Sequence, residues 1–111
     1  MASTKYVNAF LEKKKELVVQ GNYDFVPRRK NLMSLASLGL TIQNVKSEIL
    51  SLKVSDYYKG PKIDLDKAKP GVIWEFKKNV NNKLLYIKMK IVNENGVDLL
   101  KCLSFHEDES F

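Results

Sequence analysis

Four polar side chains recur near one another in the second half of the sequence. Tyr86, Lys88 and Lys90 take every second position of "LLYIKMKIV", and His106, the only histidine, follows "VDLLKCLSF". A phenol, an imidazole and two ammonium groups suit binding a phosphate and moving a proton on it. The same set also suits a solvated sheet face, where exposed Tyr and Lys are ordinary. The choice turns on whether the chain brings His106 to the tyrosine's side of a sheet.

The two segments are joined by "NENG". A three-residue hairpin loop takes glycine in the left-handed conformation at its end. With Glu94, Asn95 and Gly96 as that loop, Asn93 sits opposite Val97, Ile91 opposite Leu99, Ile87 opposite Leu103 and Leu85 opposite Phe105. These apolar pairs share one side; a loop one residue shorter or longer would set apolar against polar positions. The register then opposes Tyr86 to Ser104 and His106 to Leu84, leaving Tyr86 and His106 diagonal neighbours roughly 7–8 Å apart. Cys102 falls on the parity of Tyr86 and reads as a small packing residue rather than a nucleophile. Glu107, Asp108 and Glu109 follow the histidine and would favour its charged form.

The elements that must hold these residues form an α+β pattern. Val7, Phe10, Leu11, Leu17 and Val18 lie on one face of a first helix, with Lys13, Lys14 and Lys15 mostly on the polar side. Pro27 opens a second helix with Leu32, Leu35, Ala36 and Leu38 as its apolar face and Gly39 at its end. Thr41 caps a third, lined by Ile42, Val45, Ile49 and Leu52. The charged, proline-bounded stretch over residues 60–71 reads as a surface loop. In "VIWEFKK", Val72, Trp74 and Phe76 alternate with Ile73, Glu75 and Lys77, and period-two alternation continues in the next two segments. The expectation is one domain: helices over residues 4–53 packed on one face of a small antiparallel sheet over residues 72–106.

The chain of 111 residues carries a net charge of +6, nearly all of it lysine, which favours a phosphate polyanion as partner. Arg28 and Arg29, the only arginines, stand at a helix start against the helix dipole, which fits a phosphate or carboxylate partner. One Cys and one His make neither a disulfide framework nor a zinc site. No apolar run approaches a membrane span, and the charged start lacks a secretory h-region, so a cytoplasmic protein is expected.

Several short strings, taken in order, identify a resemblance. "LGLT" at Leu38–Thr41, "SDYYK" at Ser55–Lys59, "IWEF" at Ile73–Phe76, "LYIKMKI" at Leu85–Ile91 and "LSFHE" at Leu103–Glu107 resemble the MqsR-type mRNA interferases, bacterial toxins with a RelE-like fold. The resemblance runs from about Val7 to Glu107. It implies a metal-independent endoribonuclease that cuts messenger RNA without cofactors and is neutralised by a cognate antitoxin. It also implies four site positions. The lysine that ends "SDYYK" is Lys59, and the strand tyrosine is Tyr86. The residue after the strand tryptophan, usually glutamine, is Glu75. The residue after "SF", usually lysine, is His106. The two departures bring in a carboxylate and an imidazole, the commonest general acid–base groups.

On that resemblance RNA cleavage would proceed through the 2′-hydroxyl, with Glu75 as base and His106 as acid, or the reverse. Lys59 would hold the scissile phosphate, and Tyr86 would orient it or stack on a base. Lys88, Lys90, Arg28 and Arg29 would follow the backbone. A different class stays open: a non-catalytic inhibitor or a nucleic-acid- or protein-binding module on the same scaffold, since fold does not fix function.

Overall fold

The computed structural model describes residues 2–66, 68 and 70–108. Helix α1 (Thr4–Val19) is followed by a short strand β1 (Tyr23–Phe25), helices α2 (Arg29–Leu38) and α3 (Ile42–Leu50), and a 3₁₀ turn (Val54–Asp56). Strands β2 (Tyr57–Ile63), β3 (Val72–Val80), β4 (Lys83–Glu94) and β5 (Val97–Glu107) complete the chain. The sheet order is β1-β5-β4-β3-β2. The expected α+β layout is present, but the sheet is mixed, because β1 runs parallel to β5. Among the described residues no helix is long and apolar enough to cross a membrane.

The core forms between α1, α3 and the inner face of the sheet. Val7, Phe10, Leu17, Val45 and Ile49 pack with Trp74, Phe76, Ile87, Met89, Leu100 and Phe105. The Phe10 ring stacks on Trp74 with centroids 4.7 Å apart. Burying such aromatic and aliphatic side chains is the main force that closes the helices on the sheet. Thr41 caps α3 in a reciprocal bond with Asn44.

Four expectations are corrected. Residues 57–63 are a strand, although their Gly-Pro and mostly exposed side chains hide the alternation; an edge position tolerates the proline. Lys14 is buried among the apolar residues of α1, not on its polar side. On α2 the buried residues are Asn31, Ser34 and Leu35, while Leu32 is exposed. The β4–β5 loop has two residues, Asn95 at φ 54° and Gly96 at φ 82°, so that Glu94 pairs with Val97. Two successive positive φ angles are what a tight hairpin of this twist needs.

Carried on unbroken, the register of the shorter loop would set Ile87 opposite Ser104 and Leu85 opposite His106, misaligning the far half of the hairpin. A β-bulge corrects it midway. Ile91 pairs with Leu100 and Met89 with Cys102, but Lys88 pairs with Ser104, Ile87 with Phe105 and Tyr86 with His106. Leu103 is the extra residue. Cys102 and Phe105 therefore both reach the core, with Cys102 on the inner face and not on that of Tyr86.

Candidate active site

The outer face of the sheet carries two adjoining rows of polar side chains. One row crosses the strands as Lys59, Glu75, Lys88 and Ser104. The next crosses as Lys77, Tyr86 and His106. Period two puts Glu75 and Lys77 on this face while Trp74 and Phe76 enter the core. His106 lies directly opposite Tyr86, with ring centroids 5.5 Å apart and planes tilted by 42°. The bulge thus turns the expected diagonal relation into a direct pair.

Glu75 is the centre of the cluster. It is 4% exposed, yet both oxygens have partners: the Tyr86 hydroxyl donates to Oε1, and Lys62 Nζ lies 2.7 Å from Oε2. Burial alone would raise the Glu75 carboxyl. The close ion pair with Lys62 and the hydrogen bond from Tyr86, with the charge of Lys59, outweigh it and hold the carboxyl below its ordinary value. Burial, and then the bond to Glu75, push the Tyr86 phenol well above its ordinary value. The pair is therefore a carboxylate accepting from a protonated phenol.

His106 is half-buried. Its Nδ1 lies 2.9 Å from the Glu107 carbonyl, which can only accept, so Nδ1 carries a hydrogen and Nε2 is left for proton exchange. Asp108, expected to act on the imidazole, instead pairs with Lys77 at 2.9 Å. Glu109 lies outside the described residues. Lys77 also stands 4.0 Å over the ring of Tyr58, and Lys59 stands 5.0 Å from that ring.

The alternation of β3 puts Lys77 on the side of Glu75, but Lys62 and Tyr58 are not legible as site residues in the sequence. Lys62 and Tyr58 lie on β2, which lacks clear alternation. Had that segment been taken as an edge strand antiparallel to β3, Lys62 would have been a cross-strand candidate for Glu75. Gly60 allows the close pairing of the two strands: at φ 121° a Cβ there would meet the Ile73 carbonyl at 2.8 Å.

Beyond this cluster, Arg28, Lys88, Lys90, Lys101 and Leu103 line a cavity of about 620 Å³ that Asp64 also borders. Burial, and next the charge of Arg28, lower the Lys88 ammonium, with Glu75 opposing them. Lys90 is 3% exposed and lies 2.8 Å from Asp64. Arg28 thus joins Lys88 and Lys90, whereas Arg29 is exposed at the first turn of α2 and is not part of the lining. Burial pushes the Cys102 thiol up to about 12, which suits a packing role. Among the described residues no three His, Cys, Asp or Glu side chains gather as metal ligands would.

No curated protein matches the chain. A sequence model of one protein family, described as the motility quorum-sensing regulator, toxin of MqsA, matches residues 8–107. That span holds both helical and sheet layers and every residue of the cluster. The chain belongs to this family and is accordingly the toxin member of a toxin–antitoxin pair.

Proposed function

We propose that the outer-face cluster is a ribonuclease centre acting on messenger RNA. The observation that carries this reading is the buried carboxylate of Glu75, tied to Tyr86 and Lys62 on the face shared by Lys59 and His106. A charge kept in a buried place by movable cations is suited to accept a proton once those cations turn to a phosphate.

The steps balance without a further reactant. Glu75 takes the proton of a ribose 2′-hydroxyl. The 2′-oxygen attacks the adjacent phosphorus, and the bond from phosphorus to the 5′-oxygen breaks. The His106 imidazolium gives its Nε2 proton to the leaving oxygen. The products are a 2′,3′-cyclic phosphate and a 5′-hydroxyl end. Lys59 and Lys62 steady the negative charge on the phosphate oxygens. As Lys62 leaves Glu75 for the phosphate, burial is less opposed and the carboxylate becomes a stronger base. Tyr86 fixes the carboxylate, and the Tyr58 ring offers a stacking surface for a base. Arg28, Lys88 and Lys101 extend a basic path for the next phosphates, which Lys90 and Arg29 would flank. The cognate antitoxin would act by keeping RNA from this face.

One observation favours a second reading, a binding protein that does not cleave: both oxygens of Glu75 are already engaged. A long RNA incubated in EDTA with the purified protein, Glu75→Gln and His106→Ala separates the two. New 5′-hydroxyl ends with the wild-type protein only are expected. RNA that is bound but intact at every pH would establish the second reading.

A further inference from the structure

The bulge at Leu103 has a chemical consequence. Were the register near the loop carried on without it, Tyr86 would face Phe105, and His106 would turn beneath the helices. What holds the extra residue in place is α2. Asn31 is 0% exposed, and its side-chain amide makes three bonds: Nδ2 donates to the Val26 carbonyl at 2.9 Å and the Leu103 carbonyl at 3.1 Å, and Oδ1 accepts from the Phe105 N–H at 3.0 Å. One turn on, Ser34 Oγ accepts from the Glu107 N–H at 3.1 Å. The Glu107 carbonyl in turn receives His106 Nδ1.

These bonds begin where β1 ends. The last strand-like contact on that edge of β5 runs from the Val26 N–H to the Cys102 carbonyl at 3.0 Å. Past it, the edge still presents a carbonyl at Leu103 and an N–H at Phe105. A side-chain amide offers the matching donor and acceptor side by side, as a neighbouring peptide group would. An apolar residue of the same size would leave the Leu103 carbonyl and the Phe105 N–H without partners in a buried place, so the amide is what lets the extra residue of β5 sit there. The full use of Asn31 at the bulge therefore points to a task beyond packing.

We propose that Asn31 is a positioning residue that holds the bulge of β5 and so aims His106 at Tyr86. The consequence for catalysis rests on the ribonuclease reading, but the placement of the ring does not. The test uses Asn31→Ala and Asn31→Asp in the full chain, with Leu35→Ala as a control that loosens α2 and keeps the Asn31 amide. Because His106 is the only histidine, its ring signals are unambiguous by NMR.

Asn31→Ala and Asn31→Asp should lose the contacts between the Tyr86 and His106 rings. Leu35→Ala should lower the melting temperature and keep them. In the cleavage assay the Asn31 variants should lose about 10²-fold in kcat with little change in KM, as a misplacement of order 1 Å would cause. Folded Asn31 variants that keep the ring contacts would overturn the proposal, as would a Leu35→Ala protein that loses them equally. If Asn31→Ala does not fold, Ser34→Ala frees only the Glu107 N–H and should broaden or shift the His106 ring signals; unchanged signals would count against it. A wild-type protein with the ring contacts but without cleavage would remove the ribonuclease reading alone.

Discussion

Lys14 and Glu75 are both drawn into the molecule, one under the helices and one from the outer face of the sheet. Lys14 is 2% exposed and Glu75 4%. Lys14 Nζ donates to the carbonyls of Ile49 at 2.8 Å and Leu50 at 3.2 Å, at the end of α3. Those partners are dipoles, favourable at a helix C-terminus but weaker than a counter-charge. Burial therefore dominates, and the ammonium falls to about 8. Glu75 meets Lys62, Tyr86 and the charge of Lys59, and these outweigh burial. Equal burial thus moves one group towards neutrality and keeps the other charged. The difference separates a side chain whose ammonium ends a helix from one that the proposed reading makes the base.

The sharpest break in this comparison is Glu75→Gln. It keeps the shape and removes the charge, and cleavage should fall by about 10²–10⁴-fold if the carboxylate is the base. The Tyr86 phenol, relieved of its carboxylate partner, should titrate at lower pH by ultraviolet absorbance. Retained cleavage with a shifted tyrosine would leave Glu75 a structural partner of Tyr86. His106→Gln should cost a similar factor, and it should cost little when the leaving group is a nitrophenolate that needs no proton. Equal loss on both substrates would place His106 in binding rather than acid catalysis.

A smaller effect is expected from Lys62→Ala. Removing this contact leaves burial less opposed, so the Glu75 carboxyl should rise from its lowered value. With Glu75 as the proposed base, cleavage needs the ionised form, so the acidic limb of the kcat/KM profile should move to higher pH. The same carboxyl contributes stability above its unfolded pKa, lost as pH falls through the folded one. Lys62→Ala should lessen that contribution, measured by urea denaturation from pH 3 to 7. An acidic limb that stays in place would detach Glu75 from the rate.

The contrast also shows what a sequence makes legible. Alternation in β3 and β4 puts Glu75, Tyr86 and Lys88 on one face, because side-chain direction follows from period two alone. Lys14 does not announce itself: it stands in a lysine run, and only the end of α3 gives its ammonium a place inside. Asn31 and Ser34 read as interruptions of an apolar face until β5 offers them backbone groups. The hairpin hides its register for a similar reason. A single uniform register fits the apolar residues with a longer loop, whereas the molecule combines a tight turn with a bulge. Local pattern gives faces, but which backbone groups remain unpaired is decided by elements far away in the chain.

The smallest expected effect concerns Lys14. Its folded-state pKa of about 8 lies below the ordinary 10.5, so between those values the unfolded chain binds more protons. Stability attributable to this group should therefore be lowest below pH 8 and rise with pH through that window. After allowance for relaxation of the surroundings around the buried ammonium, the rise should be about 1–2 kcal/mol. Urea denaturation at pH 7 and pH 10 measures it, with Lys14→Met as the reference that lacks the titrating group. The variant should show a smaller rise than the wild type over the same interval. Parallel curves would mean that the α3 carbonyls hold the ammonium as firmly as Lys62 holds Glu75, and the distinction between the two buried charges would then lie in the mobility of their partners alone.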